Sequence, residues 1–147
     1  MSDVNDRTIR ATLTAIASVL TVTGLKQSPS LFTPQAIPLT CVDSAYCVDM
    51  QTADTGLYRE GGDEEARVVH AVTISVLKQI RPSAQFASLC DAGDVEEAVM
   101  AAMLRRSNFP YGRVKYLRTS RTPTPSREYL VLAIQFELET DWSWATL

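Results

Sequence analysis

The sequence contains a single histidine, His70, and only three cysteines, Cys41, Cys47 and Cys90. With one histidine, a Ser–His or a Cys–His dyad would have to use that residue. His70 shares its parity with Val68, Val72 and Ile74 in an extended stretch, the setting of a core or interface histidine rather than of a general base. The cysteines are odd in number and match no metal-ligand spacing. They read as buried reduced thiols, which implies a cytosolic origin, and Cys41 and Cys47 share strand parity, so they would point the same way if a strand ran unbroken between them. No apolar run reaches about 18 residues, so no membrane-spanning helix is expected. The first ten residues, MSDVNDRTIR, are polar and acidic before they are apolar, the wrong order for a secretory signal. Gly61-Gly62 lacks the Lys and Ser/Thr of a phosphate loop and precedes a strand where such a loop precedes a helix. Glu60, Asp63, Glu64 and Glu65 match no calcium-loop spacing, and read as a solvated loop tip before a weak cation site. No catalytic residue, cofactor or metal is therefore expected, and the chain reads as something other than an enzyme.

What is present is an ordinary globular composition. At 147 residues, 46% hydrophobic and 21% charged, the chain forms one domain that buries roughly 68–70% of its unfolded surface. Its best-organised stretch is EYLVLAIQFELET, residues 128–140. Leu130, Leu132, Ile134, Phe136 and Leu138 alternate, which puts five large apolar side chains on one face of a strand. The other face is apolar at Tyr129, Val131 and Ala133 and polar at Gln135 and Glu137. This pattern predicts a central strand with its second face partly covered.

The remaining elements arrange themselves around that strand. Ile9, Leu13, Ile16 and Leu20 predict a helix from Asp3 to about Thr23, capped by Asp3 or Asp6 and closed by Gly24. Residues 25–38 contain Pro29, Pro34 and Pro38 and read as a surface connection. Strands are expected at 44–52, with Tyr46, Val48 and Met50 on one face, and at 66–78, paired as a long hairpin around the acidic segment 53–65. Pro82 breaks the chain, and residues 81–93 read as a second connection. Asp94 with Glu97 gives a capping-box pattern that opens a helix to about Ser107, buried along Val95, Val99, Ala102, Met103 and Arg106. A strand at 113–121, with Val114 and Tyr116 inward, returns through TPTPS into the last strand. The order predicts an α+β fold, a four-stranded antiparallel sheet with two helices on one face.

Charge is unevenly distributed along the chain. Arg105, Arg106, Arg113, Lys115, Arg118, Arg121 and Arg127 fall in a stretch without acids and make up half of the 14 basic residues. Residues 49–65 hold Asp49, Asp54, Glu60, Asp63, Glu64 and Glu65 against Arg59 alone. The basic stretch reads either as a solvated strand and turn or as a hairpin that offers positive charge to nucleic acid or an acidic surface. No helix-turn-helix, zinc spacing or RNA-binding aromatic signature accompanies it. Val69, Ala71, Thr73, Val131 and Ala133 form a smooth, small-residue sheet face suited to packing against another chain.

An amphipathic first helix, a hairpin around HAVTISV, a helix containing DVEEAVMAAMLRR, a basic strand and a final LVLAIQFELE strand occur in that order. Over nearly its whole length this arrangement resembles the tail terminator proteins of long-tailed bacteriophages and gene-transfer particles. The resemblance implies an antiparallel sheet with packed helices and a homo-oligomeric, hexameric ring without catalytic activity. Such a ring sits on the tail tube protein, stops tube growth, and joins it to the head connector or stopper, with DNA passing non-specifically through the channel. It implies a virion location after assembly in the host cytoplasm. Two complementary patches are needed for a head-to-tail ring. The expected pair is Arg113, Lys115, Arg118, Arg121 and Arg127, at a subunit contact or the channel, with Asp54, Glu60, Asp63, Glu64 and Glu65. Other readings are a different neck or tail-completion protein, separable by its partner, and a small ligand-binding domain or enzyme using His70, Tyr46 and Cys47.

Overall fold

The elements follow in the order α1 (Ile9–Val22), β1 (Lys26–Gln27), β2 (Ala45–Thr52), β3 (Glu65–Gln79), α2 (Gln85–Leu104), β4 (Gly112–Pro123) and β5 (Tyr129–Ser143). Single 3₁₀ turns at Pro82–Ala84 and Arg106–Asn108 flank α2. This computed structural model describes residues 9–38, 42–52, 65–110 and 112–143. The expected helix start at Asp3 or Asp6, Cys41, the acidic loop over 53–64 and Trp144 lie outside the described residues.

The strands form one sheet in the order β1-β2-β3-β5-β4. β5 lies inside the sheet between β3 and β4, away from its edges as its alternation predicts, and pairs with β3 along its whole length, from Glu65 opposite Ser143 to Gln79 opposite Tyr129. β2 and β3 pair antiparallel, with Thr52 opposite His70. The sheet departs from expectation in having five strands and a mixed edge. Lys26 and Gln27 run parallel to Ala45 and Tyr46, and the Ser28 amide extends the pairing by donating to the Tyr46 carbonyl at 2.7 Å.

Both helices lie on one face. α1 packs toward β1 and β2, and α2 over β3, β4 and β5. Between helices and sheet sit Ile16 and Leu20 of α1, Val99 and Met103 of α2, and Leu132, Ile134, Phe136 and Leu138 of β5, none more than 1% exposed. Each fully buried side chain of this size contributes about 1.5–3 kcal/mol. Tyr46 is fully buried and satisfies its hydroxyl by donating to the Ala17 carbonyl at 3.3 Å. The interior threonines of α1 that lower helix propensity return their hydroxyls to the backbone, Thr14 to Arg10 and Thr21 to Ala17, each at 2.8 Å. Gly24, at φ +87°, terminates the helix in the left-handed region.

The second helix begins at Gln85, ten residues before the Val95 start that the capping-box reading implies. Pro82 starts a 3₁₀ turn that runs directly into α2, so the proline initiates the element it was expected to precede. No side chain caps the helix, and Ser88 ties the entry turn to its first turn instead. Its hydroxyl donates to the Ala84 carbonyl at 2.8 Å and accepts the Arg81 amide at 3.0 Å. Gly93 and Asp94 fall inside the helix, and the buried stripe is Ser88, Ala92, Glu96, Val99 and Met103, with Arg106 exposed beyond the helix end.

The proline-rich segment is more than a surface connection. Phe32 folds onto the sheet face opposite the helices and is buried with Cys47, Leu77 and Val131, while Ile37 and Tyr129 pack alongside. This segment covers the apolar beginning of β5 and leaves its polar end open.

Candidate interaction surface and cavity

The face opposite the helices is arranged in cross-strand rows. Val131, Ala133, Gln135, Glu137 and Glu139 of β5 stand opposite Leu77, Ser75, Thr73, Ala71 and Val69 of β3. On the other side of β5 they stand opposite Thr122, Ser120, Arg118, Lys115 and Arg113 of β4. Of the five residues expected to form a smooth packing face, Val69, Ala71, Thr73 and Ala133 share the open part. Val131 does not, because it is 1% exposed beneath Phe32.

A register shift between Tyr116 and Arg118 divides the basic residues between the two faces. In an unbroken strand Arg118 would point inward with Val114 and Tyr116. The bulge at Leu117 turns it outward, where its Nε donates to Gln135 Oε1 at 2.8 Å. The same bulge turns Arg121 inward, next to Leu132, where it meets Glu96 of α2. Tyr116 stays inward, edge-on to Phe136 with ring centroids 5.8 Å apart. Arg127 sits at φ +60° in the β4–β5 turn, held by its amide donating to the Thr124 carbonyl at 2.8 Å. It is roughly 30 Å along the strand from Arg113. The five expected cations therefore do not form one patch: Arg113, Lys115 and Arg118 share a face, while Arg121 and Arg127 do not join them. Of the expected acidic partners, Asp54, Glu60, Asp63 and Glu64 lie outside the described residues. Glu65 opens β3 opposite Ser143.

The acids that face the basic row are Glu137 and Glu139, on the neighbouring strand of the same chain. These were legible in the polar half of β5, but their pairing needed the strand register. Opposite-charge pairs across strands contribute about 0.2–1 kcal/mol each.

His70 is 3% exposed on the helix-facing side, as its parity predicts, with Nδ1 3.2 Å from Thr52 Oγ1. Burial disfavours the charged ring and lowers its pKa below 6.5. Cys47 is buried but Cys90 is exposed on α2, contrary to the expectation of buried thiols. Among the described residues no cluster of His, Cys, Asp or Glu is arranged to hold a metal, and no helix is long and apolar enough to cross a membrane.

A concavity of about 510 Å³ opens where α2 ends and β4 begins. Arg105, Arg106, Arg113 and Glu139 line it together with Met103, Phe109 and Val114. The connection around it is tightly tied. Asn108 Nδ2 donates to the Ala102 carbonyl at 2.8 Å, the Arg105 amide donates back to the Ala101 carbonyl of α2, and the amides of Asn108, Phe109 and Gly112 donate to the carbonyls of Arg105, Arg106 and Phe109. Gly112 allows this close approach, since a Cβ there would lie 3.0 Å from Leu138 Cδ1 and 3.3 Å from the Glu139 carbonyl oxygen. Arg105 and Arg106 were visible in the basic stretch, but nothing in their spacing places them beside Arg113.

No protein-family model matches the chain, and no curated protein matches it either.

Proposed function

We propose that the chain is a structural subunit that closes head to tail into a ring, in the manner of the phage tail terminators it resembles, capping a tail tube and meeting a head connector. The observation that carries this reading is the row of cations along one sheet margin, which the other margin does not share. β4 is an edge strand with Arg113, Lys115 and Arg118 on its open face, and at the other margin Asp49 of β2 extends beyond the two-residue β1. Between them lies the open small-residue surface of Val69, Ala71, Thr73 and Ala133. Two different margins on one subunit suit a heterologous contact that repeats around an axis.

The test is the mass of the purified protein across concentration and salt, with negative-stain images of large species. Rings that dissociate as salt rises are expected, because contacts between exposed charges are screened. Charge reversal at Lys115 and Arg118 together should abolish ring formation and the capping of purified tail tubes. Unchanged assembly and unchanged particle infectivity in that double variant would overturn the proposal.

A further inference from the structure

We propose that the concavity at the α2–β4 junction is a binding site for a phosphate monoester of a small organic molecule. The inference does not depend on the ring reading, although Arg113 belongs to both surfaces. Arg105, Arg106 and Arg113 come from three successive pieces of structure, the end of α2, the 3₁₀ turn and the start of β4, and line one cavity. Guanidinium groups stay charged at any physiological pH, and their planar forks match the oxygens of phosphate.

Among the described residues, three arginines and one carboxylate, Glu139, line the cavity. The excess of two charges fits a phosphate monoester near neutral pH, which carries about −1.5 to −2. The volume of about 510 Å³ is far more than a bare phosphate fills and falls in the range of small-molecule sites. The apolar lining from Met103, Phe109 and Val114 would receive the organic part of the ligand. The wall is also held in place before any ligand arrives. The amide hydrogen bonds of Asn108, Phe109 and Gly112 and the Gly112 approach to Leu138 hold the backbone beside Arg106 and Arg113.

Calorimetric titration with phenyl phosphate, inorganic phosphate and a 5′-hydroxyl oligothymidylate separates this site from diffuse attraction. Phenyl phosphate should bind with a Kd near or below about 1 mM and more tightly than inorganic phosphate. Arg106→Ala and Arg113→Ala should each weaken it about tenfold. Arg113→Lys, which keeps the charge and loses the fork, should also weaken it. Arg81→Ala, at the far end of α2, should change nothing. All these arginines are exposed, so unaltered thermal midpoints are expected to show that the variants remain folded. The proposal is overturned if phenyl phosphate fails to bind, if Arg113→Lys binds it as well as the unaltered chain, or if the diester oligonucleotide binds more tightly than the monoester.

Discussion

Arg121 Nη2 lies 2.8 Å from Glu96 Oε1 and donates to Glu96 Oε2 at 2.9 Å, joining the edge strand β4 to the inner side of α2. The carboxylate is 11% exposed and the guanidinium 54%. Removing the partner of a mostly buried charge costs more than removing an exposed pair, because the charge left behind has already lost its water. Arg121→Ala is expected to destabilise the fold by about 1–2 kcal/mol, a figure reduced for the exposure of the arginine. The double variant Glu96→Met with Arg121→Met should recover most of that loss. Arg81 and Asp91, 3.4 Å apart and both more than half exposed, form the control. Their double-mutant coupling should fall below about 0.5 kcal/mol. Denaturant unfolding of the two sets of variants measures both quantities.

Two glycines should respond oppositely to alanine. Gly93 lies inside α2, where a Cβ would meet nothing within 4 Å, so Gly93→Ala should stabilise by about 0.5–1 kcal/mol. Gly24 also has open space, but its φ of +87° is costly for a side chain, and Gly24→Ala should destabilise by about 1 kcal/mol or more. Thermal midpoints moving in the same direction would contradict the assignment.

Stability should depend on pH through His70. Its folded pKa is lowered by burial, so the unfolded chain takes up a proton first as pH falls. The neutral ring's contribution is complete above the unfolded value of about 6.5 and is lost progressively as pH drops from there toward the lowered folded value. Unfolding free energies at pH 7.5 and 5.5 should show a decline in the unaltered protein. In His70→Leu the decline over this interval should be smaller.

The thiols should separate by accessibility. In a Cys41→Ser background, a thiol-specific reagent should label Cys90 quickly in the native protein and Cys47 only on unfolding, since Cys47 is buried under Phe32. Equal native rates would mean that the segment carrying Phe32 does not seal that end of the sheet.

The fold was legible where side-chain period alone decides the structure. The alternation of Leu130 through Leu138 located the interior strand, and the parity of His70 located its burial. Helix α2 was legible only in its second half, because Gly93 followed by Asp94 imitates a helix start. Two polar residues, Ser88 and Glu96, also interrupt the apolar stripe that would have extended it. Both are buried because each has found a partner, and single-chain periodicity cannot show that. The bulge at Leu117 was equally hidden. One extra residue changes no composition, yet it decides that Arg118 points outward and Arg121 inward. The site suffered most from this, since a run of cations in sequence became two faces and a turn in space.

The plug formed by Phe32 gives the open sheet face a direction. At the Val131 and Leu77 end the surface rises in a step, while toward Val69 and Glu139 no segment among the described residues is packed over it. A body laid along these strands can slide only until it meets that step. The face thereby acquires an end stop, which would set the depth of a partner without any residue dedicated to recognising it.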